Sequence, residues 1–171
     1  ITGIPTTLGT HNATISATNA AGTTFMSLAI KLEVHVPIAA GRAQSFIIDR
    51  NGSIWATGSD FNSRLGGIGN QNSLTKMFEA NATAIATGGG SALFTTRNGE
   101  LWATGKVYLD GFSNGHGDVN VPTKILDANL TDFDVGNGNH YIVKTDGSLW
   151  AWGGNGKGQL GNGTTDGNQT I

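Results

Sequence analysis

The sequence contains no cysteine, and this absence removes several classes of protein from consideration. Without thiols, the chain has no disulfide framework, no thiolate zinc site and no cysteine nucleophile. Charged residues are also scarce, at 13% of the chain against a usual share of about 25%. Because the net charge is −2, the chain lacks the basic character of nucleic-acid-binding proteins, and we expect no nucleic-acid partner.

Long apolar runs and proline are equally rare. The richest apolar segment, residues 25–30, is far shorter than the roughly 18 residues of a membrane span, so no span is predicted. Glycine accounts for 27 of 171 residues and proline for only 3, a combined share below that of disordered low-complexity chains. The chain begins with Ile1 and has no signal-peptide pattern, so it is either a processed product or a piece of a longer protein, and we favour the piece.

Three tryptophans reveal an internal repeat: Trp55, Trp102 and Trp150 lie 47 and 48 residues apart. A similar phrase surrounds each of them, at residues 49–58, 96–105 and 145–153. Each phrase contains Asn-Gly or Asp-Gly, dipeptides that favour two-residue hairpins with type I′ turns. Repeats of this length, with several short strands and no helical period, predict an all-β fold of β-propeller blades with one four-stranded sheet per repeat.

The repeated tryptophans and glycines have a structural explanation. One indole per blade supplies the bulk needed between sheets that pack about 10 Å apart, so we interpret the three tryptophans as sheet-packing residues. Six glycines recur at two positions of the repeat, where a tight corner or a close backbone approach excludes a side chain. These are Gly41, Gly88, Gly136, Gly58, Gly105 and Gly153.

The third repeat carries the most specific pattern, a glycine and histidine before the turn and a glycine-rich loop after it. Its residues are Gly136, His140, Asp146, Gly147, Trp150, Trp152, Gly153 and residues 155–163. This pattern resembles the repeat of the regulator of chromosome condensation family, and the resemblance extends more loosely over residues 37–171. It implies a propeller of which this chain holds about three blades, incomplete at the C-terminal end.

The first 36 residues have a different character. The segments at residues 3–6, 8–10 and 14–19 look like the last strands of immunoglobulin-like modules of bacterial surface proteins. Apolar alternation on both sides of a turn at residues 19–22 favours a hairpin. We expect residues 1–36 to be the C-terminal part of an immunoglobulin-like β-sandwich module. The resemblance implies an extracellular or cell-surface location.

The irregular second repeat supplies the candidate binding residues. Tyr108, Phe112, His116 and Asp118 could contribute to a ligand site, with Asp110 beside them. The alternative is that they are ordinary solvated loop residues, since no second histidine stands at a metal-ligand spacing. We expect the loops at residues 59–69 and 106–117 to present their contacts on one rim of the blades.

Carboxylates and hydroxyls give no clear catalytic or metal pattern. Asp127, Asp132 and Asp134 lie within eight residues, and such oxygen clusters can hold calcium. The segment lacks the glycine and closing glutamate of a calcium-binding loop, so solvated carboxylates are the alternative, and no metal or cofactor is predicted. No serine, histidine and aspartate set stands in the strand-turn-helix context of a nucleophile elbow, so no catalytic residue is predicted and the chain is expected to be non-enzymatic.

Together these features predict a binding or adhesion scaffold within a larger bacterial secreted or cell-surface protein. Its partners would be a protein or glycan ligand and the remaining propeller blades of the parent chain. The family resemblance implies one alternative, a regulatory propeller that acts as a guanine-nucleotide exchange factor on a small GTPase. An accessory propeller attached to a hydrolase is a third possibility.

Overall fold

The computed structural model describes residues 9–32, 37–79, 81–108, 118–127, 130–166 and 169–170. The chain divides into two compact units, Ile1–His35 and Val36–Ile171. Antiparallel strands dominate the described residues, and a single 3-10 turn, Phe61–Ser63, accompanies them. Within these ranges, no helix is both long and apolar enough to cross a membrane.

The first unit contains one hairpin. Strand β1 (Gly9–Asn19) pairs antiparallel with β2 (Gly22–Leu32), and Asn19 lies opposite Gly22 across the turn. The predicted hairpin is therefore present. The adjacent residues Phe25 and Met26 of β2 point to opposite faces of the strand and are 68% and 60% exposed. Assignment of this hairpin to an immunoglobulin-like module stays a prediction.

The second unit contains three four-stranded sheets. The first consists of β3 (Ile38–Ala40), β4 (Gln44–Ile48), β5 (Ile54–Gly58) and β6 (Gln71–Phe78). The second consists of β7 (Ala82–Thr87), β8 (Ser91–Thr96), β9 (Glu100–Lys106) and β10 (Asp118–Asp127). The third consists of β11 (Leu130–Val135), β12 (Asn139–Lys144), β13 (Leu149–Gly153) and β14 (Gln169–Thr170). Each strand pairs with its sequence neighbour, which confirms the predicted sheet per repeat.

Two hydrophobic clusters lie between successive sheets. The first joins the first and second sheets through Phe46, Ile48, Ile54, Ala56, Leu65, Ala82, Ala92 and Phe94. The second joins the second and third sheets through Leu93, Leu101, Ala103, Val107, Val119, Val135, Ile142 and Trp152. Because successive strand residues face opposite sides, Phe94 enters one cluster and Leu93 the other. The sheets therefore stack face to face as blades of a partial β-propeller, as predicted.

The turn between the second and third strands of each sheet differs from the predicted type I′ hairpin. A type I′ turn needs positive φ at both central residues. Here only the glycine of each dipeptide has positive φ, with values of 83° at Gly52, 76° at Gly99 and 84° at Gly147. The Gly52 amide donates to the Asp49 carbonyl at 2.9 Å, and the Asp49 amide donates to the Ser53 carbonyl at 2.9 Å. The two-residue prediction was wrong, because a longer loop places its glycine after an ordinary turn, as in a hairpin with a G1 bulge.

The repeated tryptophans occupy equivalent, half-buried positions. Each lies opposite an apolar residue of the preceding strand, Ile47, Phe94 or Ile142. The indole N–H of Trp55 donates to Asp49 Oδ2 at 2.8 Å, and that of Trp102 donates to Glu100 Oε2 at 3.1 Å. These hydrogen bonds are the main reason why the pKa values of both carboxyls lie below their ordinary range. The indoles therefore anchor the turn end of each sheet.

Candidate functional site

The opposite end of the three sheets carries a cleft of about 610 Å³. It is built by the loops that join the first and second strands of each sheet and by the segments that follow β5 and β9. Its lining residues are Arg42, Ala43, Ser59, Phe61, Asn62, Arg64, Gly89, Gly90, Lys106, Tyr108, Asn137 and Gly138. Because stacked antiparallel sheets bring equivalent loops to the same edge, segments almost a hundred residues apart meet there.

Glycines allow these loops to approach one another. A Cβ built on Gly41 would lie 2.5 Å from the carbonyl oxygen of Gly88, in the neighbouring sheet. A Cβ on Gly88 would in turn collide with the carbonyl oxygen of Gly136 in the third sheet. None of these three glycines has positive φ, so close backbone contact explains them. They set the distance between the three loops that floor the cleft.

The second set of repeated glycines lies where the third strand of each sheet ends. Gly58, Gly105 and Gly153 have φ of 108°, 87° and 104°, and a Cβ on each would collide with a backbone carbonyl of the preceding loop. The residue after each glycine donates its amide to that same carbonyl. Both the conformation and the space therefore require glycine at the point where the chain enters the cleft wall.

Three cations line the cleft, and no carboxylate does in the part of the chain that is described. They are Arg42, Arg64 and Lys106. Asp60 is nearby in sequence, but its carboxylate accepts the amides of Leu65 and Gly69, both at 2.7 Å, within its own loop. The cleft is thus locally basic on a chain whose net charge is −2.

Arg64 is the most constrained of these cations, since it is only 6% exposed. Its Nε donates to the Phe61 carbonyl at 2.7 Å, and one terminal nitrogen donates to Gln44 Oε1 at 3.2 Å. The guanidinium carbon lies 5.6 Å from the centroid of the Phe61 ring. Within the described residues, no carboxylate lies at ion-pair distance from Arg64. Among the described residues, two neutral oxygens and the Phe61 ring therefore hold this buried cation.

The backbone around the cleft adopts unusual conformations. Asn62, Ser63 and Tyr108 have φ of 61°, 54° and 50°, in the left-handed region that non-glycine residues seldom occupy. Tertiary contacts hold this geometry, since Thr104 Oγ1 donates to the Ser63 carbonyl at 2.8 Å and Ser63 Oγ bonds Asn120 Oδ1 at 3.0 Å. Such strain concentrates at binding sites, where it fixes the direction of a side chain.

Only part of the predicted site can be located. Tyr108 lines the cleft, half-buried, with Lys106 Nζ 4.9 Å from its ring centroid. Asp118 begins β10 and pairs with Lys106 in the strand register. Phe112 and His116 lie outside the described residues, as does Asp110.

Sequence reasoning did not single out Phe61 or the arginines. The loop at residues 59–69 was predicted to lie on the rim, and it supplies Phe61, Asn62 and Arg64 to the cleft. The exposed aromatic Phe61 in a glycine-rich loop was the signal available. The participation of Arg42 depends on how the sheets stack, which the repeat pattern alone does not specify.

The carboxylates considered for calcium do not converge. Asp132 and Asp134 each accept the amide of the next residue, at 2.9 and 2.8 Å. Asp127 pairs with Lys124 at 3.0 Å. Among the residues that the structure describes, no group of three acidic, histidine or cysteine side chains is placed to hold a metal ion.

Comparison with solved structures identifies the fold. A crystal structure of Kap60 bound to yeast RCC1 (Prp20) matches with a TM-score of 0.66 and 16% identity, over 77% of this chain and 35% of that one. Prp20p from Saccharomyces cerevisiae, studied for its binding to Gsp1p and histones, gives 0.63 and 17%, over 77% and 36%. Human WBSCR16 gives 0.61 and 18%, over 84% and 40%. No family model and no curated protein matches the chain.

These likenesses show that the chain has the fold of an RCC1-type propeller, in agreement with the resemblance noted in its sequence. At 16–18% identity they show the fold alone. The chain spans 35–40% of the length of those structures. Of these proteins, yeast Prp20 is seen bound to Kap60.

Proposed function

We propose that the chain is a non-enzymatic binding or adhesion segment of a larger bacterial secreted or cell-surface protein, which presents its blade loops to a protein or glycan ligand. The observation that carries this proposal is the basic, aromatic cleft where loops of all three sheets meet. Concave sites of this size, with a few convergent polar groups, are typical of ligand recognition.

The chemistry of the lining supports binding rather than catalysis. Its polar groups are cations, amides and two hydroxyls, from Arg42, Arg64, Lys106, Asn62, Asn137, Ser59 and Tyr108. General acid–base catalysis needs a group whose pKa lies near the working pH, most often histidine or a carboxyl group. His140 is fully buried beside Trp152 and is not a lining residue. The lining is suited to holding a ligand in place.

The proposal of an extracellular location rests on the first unit, Ile1–His35. Its hairpin is rich in threonine and asparagine, and the sequence of residues 1–36 looks like the end of a module found in bacterial surface proteins. Expression of the full-length parent protein in its bacterial host, followed by fractionation, tests this. We expect this segment in the surface or culture fraction, and recovery from the cytoplasm alone would contradict the location.

The binding proposal is tested with the 171-residue chain on a panel of immobilised glycans and proteins, small GTPases included. We expect Phe61→Ala and Tyr108→Ala to weaken the strongest interaction by at least about fivefold, because aromatic side chains that contact a ligand often dominate the binding energy. Phe25→Ala is the matched control, since Phe25 and Phe61 are both 68% exposed.

Circular dichroism and the melting temperature establish whether each variant is folded. Folded cleft variants that bind every panel member as the unmodified chain does would overturn the proposal. Accelerated nucleotide release from a small GTPase would instead favour the exchange-factor alternative.

A further inference from the structure

Arg64 presents a charge that the described residues do not neutralise. It is 6% exposed, and its contacts are the Phe61 carbonyl, Gln44 Oε1 and the Phe61 ring. A buried cation without an anionic partner is costly, and an anion that reaches it gains more than one at an exposed surface. Two of its five N–H groups are engaged by neutral oxygens, which leaves donors for a planar anion such as a carboxylate.

The surroundings of Arg64 extend this anion site into a site for a polar ring. Arg42 and Lys106 add positive charge to the same cleft. Phe61 exposes 68% of its surface beside them, and Tyr108 presents a second ring. The amides of Asn62 and Asn137 can each donate and accept hydrogen bonds, which suits hydroxyl groups. Positive charge, flat apolar faces and amides together complement the carboxylate, the ring faces and the hydroxyl groups of an acidic sugar.

We propose that this cleft binds a carboxylate-bearing saccharide, with the carboxylate on the guanidinium groups of Arg64 and Arg42 and a pyranose face on Phe61. The inference rests on the proposed binding function and names its ligand class. The volume of about 610 Å³ accommodates two or three sugar rings rather than a protein domain.

The position of the cleft favours a saccharide over an acidic peptide. Extended peptides are usually captured by pairing with an exposed strand edge or by lying in an open groove. This cleft lies at strand ends, among loops, and offers no strand edge within the described residues. Recognition there depends on side chains and ring faces.

Calorimetric titration of the whole 171-residue chain with trigalacturonate tests the inference. The fully methyl-esterified trisaccharide keeps each ring and hydroxyl but has no charge, and we expect it to bind at least about tenfold more weakly. Arg42→Ala is expected to weaken trigalacturonate binding about five- to tenfold, and this loss should shrink as salt rises from about 0.05 to about 0.5 M. Triglutamate, the acidic peptide probe, is expected to bind at least about tenfold more weakly than trigalacturonate.

The matched control is Arg97→Ala, an exposed arginine in the turn at the other end of the second sheet, and it should leave the Kd unchanged. Phe61→Ala is a second variant at an exposed position. The test therefore needs no substitution of the buried Arg64. Equal binding of the acid and its ester, tighter binding of triglutamate, or equal affinities for the Arg42 and Arg97 variants would each overturn the inference.

Failure of the ligand class and failure of the binding function give different results. If trigalacturonate does not bind while Phe61→Ala and Tyr108→Ala still weaken another panel interaction, only the acidic sugar is wrong. If neither variant changes any interaction, the cleft itself is wrong as the binding site.

Discussion

The two interfaces between successive sheets use the same strand positions but different residues. At the first interface, Gln44 Nε2 donates across to the Gly88 carbonyl at 2.6 Å and to Thr87 Oγ1 at 2.9 Å. The equivalent residue at the second interface is Ser91, whose Oγ bonds His140 Nε2 at 2.8 Å. The position that His140 occupies in the third sheet is Ala92 in the second sheet. At the first interface these two positions hold the long side chain of Gln44 and the small Ala92. At the second interface they hold the short Ser91 and the imidazole of His140.

A second pair of equivalent positions shows the same exchange. Thr104 Oγ1 donates to the Ser63 carbonyl, in the loop after β5, at 2.8 Å. Trp152 Nε1 donates to the Val107 carbonyl, just after β9, at 2.8 Å. The stacked rings of His140 and Trp152, 5.1 Å apart, thus correspond to the small side chains of the first interface. Gln44 and Ser91, like Thr104 and Trp152, therefore hold equivalent positions and each bonds across its interface, but their partners and side-chain volumes differ.

The largest expected effect is the loss in free energy of unfolding caused by Trp152→Ala at the second interface. Trp152 is fully buried, and its removal leaves a cavity and the Val107 carbonyl without this donor. Large-to-small changes of this kind cost about 3–5 kcal/mol in free energy of unfolding, measured by urea denaturation. Trp150→Ala in the same strand is the control, and half-buried Trp150 should cost clearly less. Equal losses for both indoles would contradict the assigned roles.

The next effect concerns pH and again separates the two interfaces, because among the residues that the structure describes only the second interface contains a buried histidine, His140. Burial lowers the pKa of His140 from its ordinary 6.5 to about 4, although the Trp152 backbone opposes this shift. Since the folded state holds the neutral ring, protonation favours the unfolded chain. The contribution of His140 to the free energy of unfolding is therefore fully present above pH 6.5 and is lost as the pH falls towards 4.

The loss reaches about 3 kcal/mol at the lower end of that window, at about 1.4 kcal/mol per pH unit. Urea denaturation of the unmodified chain and of His140→Gln at several pH values measures it. The variant should be less stable at neutral pH but should lose less stability on acidification. Parallel pH profiles for the two proteins would show that His140 does not carry the dependence.

The comparison also shows what the sequence could predict. The phrases around Trp55, Trp102 and Trp150 recur closely enough to predict four-stranded blades, and the structure confirms them. The turn type was predicted incorrectly, because Asn-Gly suits both a two-residue turn and a longer loop with a bulge. The dipeptide does not reveal that Asp49 closes the longer loop onto Ser53.

The candidate site was less predictable than the fold. Both residues line the cleft, but the sequence analysis identified only Tyr108 and did not single out Arg64. The environment of Arg64 depends on Gln44, twenty residues away, and on the stacking of two sheets. Gln44 and Ala92 occupy the repeat positions that Ser91 and His140 occupy at the second interface. A single repeat read alone cannot show it.

An intermediate effect is expected when the residues of one interface are placed in the other. Ala92→His introduces an imidazole where Gln44 already reaches across, and such overpacking costs about 1–3 kcal/mol. The double variant Gln44→Ser with Ala92→His recreates the pairing of Ser91 and His140. A double-mutant cycle by urea denaturation should give a favourable coupling of about 0.5 kcal/mol or more. Additive losses would mean that the two positions do not compensate each other.

The smallest effect concerns the turns at the other end of the same sheets. Gly147 has φ of 84° and nothing within 4 Å of a built Cβ, so Gly147→Ala should cost only the left-handed conformation, about 1 kcal/mol. Gly52 has nearly the same φ of 83°, but a Cβ there would lie 2.6 Å from the Asn81 nitrogen where the second sheet begins. Gly52→Ala should therefore cost more than Gly147→Ala in urea denaturation. Equal losses would indicate that the turn moves away from the second sheet without penalty, and that the first interface is held by its buried cluster and the Gln44 hydrogen bonds instead.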